Sequence, residues 1–245
     1  MDSGYYAATA ALVARSQALD TIANNLANAS TVGFRAEQNV FSSVLADAGN
    51  SAFTPLNKAI NDFGILSGTN LDLAQGAFQK TGNPLDLAVQ GSGFFVVQTA
   101  DGPKYTRNGS FMVSSKGQLI TSAGDAVMGD KGVIPMLPGP VSISPDGTIS
   151  SNGAVAGKLK LVKFAAGTNL TSAGNTYYSA PAKSEIADTD SSIQQGVLES
   201  SNVNPVSSMV ELITAQRSAE MMQRALSMFN SEIDKTATQE LPKIG

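Results

Sequence analysis

The sequence predicts an α+β fold in which long N- and C-terminal helices pair as an antiparallel coiled coil, with a central all-β domain between them. Two observations predict the helices and a third predicts the domain. Near each end of the 245-residue chain apolar residues recur every seven positions, whereas the middle is punctuated by glycine at short intervals. A seven-residue repeat lays an apolar stripe along one helix face, while closely spaced turn dipeptides with β-branched or aromatic runs between them fold as hairpins.

In the first segment Tyr5, Leu12, Leu19 and Leu26 share one heptad position, and Ala8, Ile22 and Ala29 share the complementary one. A helix over about residues 4–28 would be roughly 37 Å long. Residues 1–35 are accordingly assigned to the N-terminal helix of an inner helical domain. Residues 36–75 carry few periodic runs and are interrupted by Pro55, Gly64 and Gly68, so they read as an extended connector. Residues 76–199 form a β-rich outer domain. Within it Asp101-Gly102, Asn108-Gly109, Lys116-Gly117, Asp146-Gly147 and Asn152-Gly153 separate candidate strands at 94–99, 110–114, 118–121 and 158–164. Lys158, Leu159, Lys160 and Leu161 alternate charged with aliphatic, as a strand with one wet and one buried face requires.

Residues 200–245 supply the C-terminal helix, with Asn204 as its cap and Pro205 in its first turn, where the missing N–H costs nothing. Leu212, Ala219, Leu226 and Ile233 occupy one heptad position, Ala215, Met222 and Phe229 the other, and Val206, Val210 and Ile213 open a neighbouring stripe. A middle domain that leaves one helix and returns to the other closes most simply by an antiparallel pairing of the two.

Residues 4–28 carry only two charged side chains, Arg15 and Asp20. A helix with a solvated outer face normally holds more, so this one is expected to be covered by more than one neighbour. Asn24, Asn25 and Asn28 strengthen the point, because asparagine is a poor helix former whose amide can hydrogen-bond another chain without the desolvation cost of an ion. The candidate assembly seam is therefore Leu12, Leu19, Ile22, Asn24, Asn25, Leu26 and Asn28 on the first helix, with Leu212, Met222, Leu226, Phe229 and Ile233 on the second. Counting along an antiparallel pair brings Arg15 opposite Glu220, a candidate ion pair; the alternative is a long side chain reaching to water.

Composition narrows the function. Sixteen basic against twenty acidic residues give a net charge of −4, which offers no concentrated basic surface for nucleic acid. Histidine and cysteine are both absent, which removes disulfides, the usual zinc sites and the common proton shuttles and nucleophiles. No run approaches the ~18 apolar residues of a membrane-spanning helix, so no direct membrane insertion is expected. The apolar run at residues 7–14 follows Asp2 and precedes Arg15, the reverse of a secretory leader's charge order, so no cleaved signal peptide is expected. Gly91-Ser92-Gly93 lacks the third glycine and the following helix of a dinucleotide loop, and reads as a tight strand connection. Asp72 and Asp86, in the repeated Leu-Asp-Leu-Ala stretches, read as turn aspartates rather than an acid pair. No catalytic, cofactor-binding or metal-binding residue is assigned, and the protein is expected not to be an enzyme.

Residues 18–35 (ALDTIANNLANASTVGFR) resemble the N-terminal signature of bacterial flagellar basal-body rod and hook proteins. Residues 196–206 with 209–217, and residues 82–89 through Gly93-Phe94-Phe95 to 105–111, are similar to the same family's C-terminal and middle motifs. Within the family, Met1-Asp2, the short connector and residues 157–163 are more similar to the proximal-rod type, which is favoured, whereas Gly93-Phe94-Phe95 and residues 215–217 look more like the distal-rod type. The resemblance implies a non-enzymatic subunit of the drive shaft that crosses the periplasm, transmitting torque and enclosing the export channel. It would be exported by the flagellar type III apparatus and would assemble helically with itself and other rod proteins. The terminal helices would line the tube and the β domain would face outward.

Overall fold

The computed structural model describes residues 2–42 and 65–239, and side chains within them except near the two chain ends and beside the gap. Helix α1 spans Asp2–Ala27 and α2 spans Pro205–Gln239, close to the expected bounds. Between them lie nineteen strands among the described residues. Of the expected connector, residues 43–64 lie outside the described residues. Strands β1 (Glu37–Ser42) and β2 (Ile65–Leu71) pair with each other.

The chain divides into two units. The first comprises residues 1–26, 38–69 and 205–245; the second comprises 27–37 and 70–204. In the first unit, α1 buries Ala18, Thr21 and Asn25, positions spaced three and four apart on one face. The Thr21 hydroxyl lies 3.1 Å from both the Gln17 carbonyl and Asn39 Oδ1. On α2 the buried positions are Ser208 and Ala219, with Leu212, Ala215 and Met222 half-buried along the same heptad line.

Among the described residues the long antiparallel coiled coil expected from the heptads is not present: they form one helix towards each end of the chain and a β-rich centre. The side chains explain why. Coiled coils are held by large apolar knobs at a and d positions. Here the buried line on α1 consists of alanine, threonine and asparagine, and Leu12, Leu19, Ile22 and Leu26 lie beside it, only half-buried.

In the second unit every strand pair is antiparallel. The largest sheet runs β15-β16-β6-β5-β9-β8-β7, with β14 joining β5 to β17 and β10 pairing with β9. Its members used below are β5 (Phe94–Thr99), β6 (Gly102–Thr106), β9 (Ala126–Gly129), β10 (Gly132–Val133), β14 (Leu161–Phe164), β16 (Tyr177–Ser179) and β17 (Glu185–Ala187). A three-stranded sheet orders β11 (Val141–Ile143), β12 (Thr148–Ser151) and β13 (Ala154–Lys158). Two ribbons pair β4 (Leu87–Gln90) with β18 (Ser192–Gln195) and β3 (Phe78–Lys80) with β19 (Val197–Glu199).

Strand β5 lies between two cores. Successive side chains point to opposite faces, so Phe95 and Val97 join Leu87, Phe111, Leu119 and Ile149, whereas Phe94 and Val96 join Tyr105, Val162 and Tyr178. A strand covered on both faces shows a continuous apolar run instead of alternation, which is why residues 94–97 read Phe-Phe-Val-Val. The expected strand over 158–164 is split between β13 and β14, yet its alternation holds: Leu159 and Leu161 are buried while Lys158 is exposed and Lys160 half-buried. Gly91-Ser92-Gly93 is the tight link from β4 to β5. Asp72 and Asp86 stand in turns, Asp72 Oδ1 accepting from the Ala74 N–H and Asp86 Oδ1 from Asn83 Nδ2, each at 2.9 Å.

Candidate functional site: a buried charge clamp

Three sequence-remote segments of the second unit meet around one carboxylate. Glu199 ends β19 and is fully buried, whereas Val197 and Leu198 before it are half-buried. Its Oε1 accepts from Arg35 Nη2 at 2.6 Å and from the Gly76 N–H at 2.8 Å; its Oε2 accepts from Arg107 Nη1 at 3.4 Å. Arg107 also donates to the carbonyls of Val89 (3.2 Å) and Gly91 (2.6 Å), and its guanidinium carbon lies 4.8 Å from the Phe94 ring centroid. Both arginines are buried, which is tolerable only because each is paired.

Backbone bonds complete the clamp. Gly33 donates to the Glu199 carbonyl (2.8 Å), Arg35 N–H to Tyr178 Oη (2.9 Å) and Ala36 N–H to Asn202 Oδ1 (2.8 Å). Asn202 Nδ2 donates to the carbonyls of Asp72 (2.9 Å) and Ala74 (3.1 Å), and Asp72 N–H donates to the Ala36 carbonyl (2.8 Å). The segment after α1 is thus sewn to the segment before α2. Gly33 is required twice over: its φ is +69°, and a Cβ there would fall on the backbone of Arg107 and Asn108, 2.5 Å from the Arg107 carbonyl carbon.

The cluster holds two guanidiniums against one carboxylate. Burial pulls the Arg107 pKa down to about 10, assisted by Arg35 and opposed by Glu199 and Asp188. Burial likewise pushes the Tyr178 phenol up to about 12. Arg35 Nε and Nη1 and Arg107 Nε are buried without a hydrogen-bond partner among the described residues, so the clamp is polar and incompletely satisfied.

The sequence assigned no function to these residues; its candidates lie on the helices. Leu12, Leu19, Ile22, Leu26 and Asn28 are half-buried, Asn24 is exposed and Asn25 is buried. Leu212 and Met222 are half-buried, whereas the side chains of Leu226, Phe229 and Ile233 lie outside the described residues. Arg15 is exposed, and Glu220 lies 3.9 Å from Arg224, one turn along α2. A second apolar row on α2 faces away from its buried line: Val206 is 73% exposed and Val210 60%, with Met209, Ile213, Met221 and Met228 also exposed.

A flagellar basal-body rod protein FlgF of Caulobacter vibrioides is 34% identical to this chain over the full length of both. The chain belongs to the flagellar basal-body rod protein family. The FlgF of Salmonella typhimurium is 36% identical over 93% of this chain and 94% of its own, and the FlgG of Borreliella burgdorferi is 31% identical over 90% and 92%. The FlgF type is favoured. Family models match at residues 6–35 (flagella basal body rod protein), 88–151 (flagellar hook protein FlgE/F/G D1 domain) and 194–239 (flagellar basal body rod FlgEFG protein C-terminal). The clamp takes one charged residue from each matched segment: Arg35, Arg107 and Glu199. This rod-family chain is a structural subunit of the flagellar basal body, and its family assembles with other rod proteins.

Proposed function

We propose that the chain joins the rod through its two terminal helices and presents its β unit outward. In this reading residues 1–35 and 200–245 form the inner domain that encloses the export channel, 36–75 form an extended connector, and 76–199 form the outer body. The subunit transmits torque in the proximal rod, within the periplasm. It reaches that position through the flagellar type III export apparatus without a cleaved signal peptide, and it catalyses no reaction. The candidate helix residues become the subunit contacts, and Arg15 and Glu220 pair on assembly.

One observation supports this reading most: the apolar row on α2 that the single chain leaves exposed. Burying six such side chains against neighbouring helices is worth on the order of 10 kcal/mol, a driving force available only on assembly. Within the second unit, the clamp ties the segment that follows α1 to the segment that precedes α2. Val210→Asp tests the reading. Because Val210 is exposed, the variant should melt within ~1 °C of the parent. It should nevertheless be missing from isolated basal bodies, and Val210→Leu should be present. Normal incorporation of Val210→Asp would refute the proposal.

A further inference from the structure

The chain contains no cysteine, tryptophan or histidine, so methionine is the side chain that a two-electron oxidant attacks most readily. Its eight methionines differ sharply in surroundings. Met136 is buried in the core that Phe95 enters, and Met128 packs half-buried against the core of Phe94. Four others lie on α2: Met209, Met221, Met222 and Met228. Met222 is half-buried on the line of Ala219, whereas Met209 (52% exposed), Met221 (63%) and Met228 (67%) stand on the opposite, outward row. Methionine thus supplies three of the six exposed apolar side chains in that row among the described residues. At ~1.5 Å per residue they are spread over roughly 28 Å of helix.

A thioether at these positions has two chemical states with opposite packing behaviour. Reduced, it is apolar, unbranched and polarisable, and it fills irregular gaps against a neighbour. Oxidised to the sulfoxide, it carries a strongly polar S–O group whose burial without a hydrogen-bond donor is costly. None of the three side chains belongs to either core of the β unit, so the change of state leaves those cores untouched. It acts only where the row is covered.

We propose that Met209, Met221 and Met228 are an oxidation site that gates assembly: a peroxide converts them to sulfoxides, and a chain in that state does not seat in the rod. Each thioether sulfur gives a lone pair to one oxygen of hydrogen peroxide as the O–O bond breaks and an S–O bond forms. Sulfur loses two electrons, and the peroxide is reduced. The departing hydroxide takes the proton from the transferred oxygen, leaving sulfoxide and water. A dithiol-dependent sulfoxide reductase reverses the step, yielding thioether, disulfide and water. Once the row is packed against neighbours, the sulfurs are shielded, so the gate acts on free subunits and spares finished rods. This rests on the rod reading above and adds regulation to the same face of α2.

Hydrogen peroxide added to the free full-length chain should oxidise the three methionines about tenfold faster than buried Met136, read by peptide mass mapping. In isolated basal bodies the same three should react about tenfold more slowly than in the free chain. Two full-length variants then replace the parent in flagellated cells. One carries Met209→Gln, Met221→Gln and Met228→Gln, the amide standing in for the sulfoxide; the other carries leucine at the same three positions. The glutamine variant should be missing from basal bodies. The leucine variant should be present, and a peroxide pulse should deplete the parent, but not this variant, from newly built basal bodies. Normal incorporation of the glutamine variant, failure of the leucine variant, equal depletion of parent and leucine variant by peroxide, or equal oxidation rates in free chain and basal body would each overturn the gate. The rod reading stands or falls separately, on Val210→Asp.

Discussion

Glu199 should be the most costly single charge to remove, and the clamp's stoichiometry makes the prediction asymmetric. Glu199→Gln preserves shape and still accepts from the Gly76 N–H, but it leaves Arg35 and Arg107 buried with no anion between them. Stranding a buried charge costs about 3–5 kcal/mol. Arg35→Met removes one cation and leaves Arg107 opposite Glu199, a balanced pair, so its cost is limited to a lost charge-assisted bond of about 1.5–3 kcal/mol. At ~2–4 °C per kcal/mol for a chain of this size, Glu199→Gln should lower the melting midpoint of the β unit by about 6–20 °C and Arg35→Met by clearly less. Scanning calorimetry gives the midpoints, and amide exchange should show the Gly33 and Asn202 N–H groups losing protection first, since both bonds close the clamp. Arg35→Met costing as much as Glu199→Gln, or a Glu199→Gln midpoint within ~2 °C of the parent, would refute the reasoning.

Other perturbations test neighbouring parts. Tyr178 has a folded pKa of about 12 against an ordinary 10, so its contribution to stability is complete below pH 10 and is lost as pH rises towards 12. Arg107 works in the opposite sense: its depressed value of about 10 means that the cost of burying its cation eases between pH 10 and 12.5. Melting midpoints should therefore fall less steeply from pH 10 to 12 in Tyr178→Phe than in the parent, and identical slopes would contradict the assignment. Gly33→Ala should destabilise the β unit by at least ~1–3 kcal/mol from the left-handed backbone alone, with a further penalty from the backbone contact; denaturant midpoints read this directly. Val210→Asp completes the set.

Helix ends and many strands were legible because their signals are local. Pro205 marks the start of α2, and residues 94–99 match β5 in full. The coiled coil was misread because heptad counting weighs leucine and isoleucine, whereas α1 buries Ala18, Thr21 and Asn25, residues that such a count treats as neutral or polar. The clamp left no periodic trace. Arg35 and Glu199 are 164 positions apart, and only tertiary pairing makes a glutamate at the end of a strand an interior residue. The one available hint was chemical: Arg35 closes a segment almost empty of charge, and it ends the first family motif.

The stitching of Ala36, Asp72 and Asn202 has an engineering consequence. Residues 72–202 begin and end at one point, so that stretch is a cassette: its two cut ends are already juxtaposed by hydrogen bonds of 2.8–2.9 Å through the Asn202 side chain and the Ala36 backbone. Domains with adjoining ends accept transplantation readily. A foreign body with the same end spacing could be spliced there, so outer decoration could diverge while the chain's two extremities keep their common root.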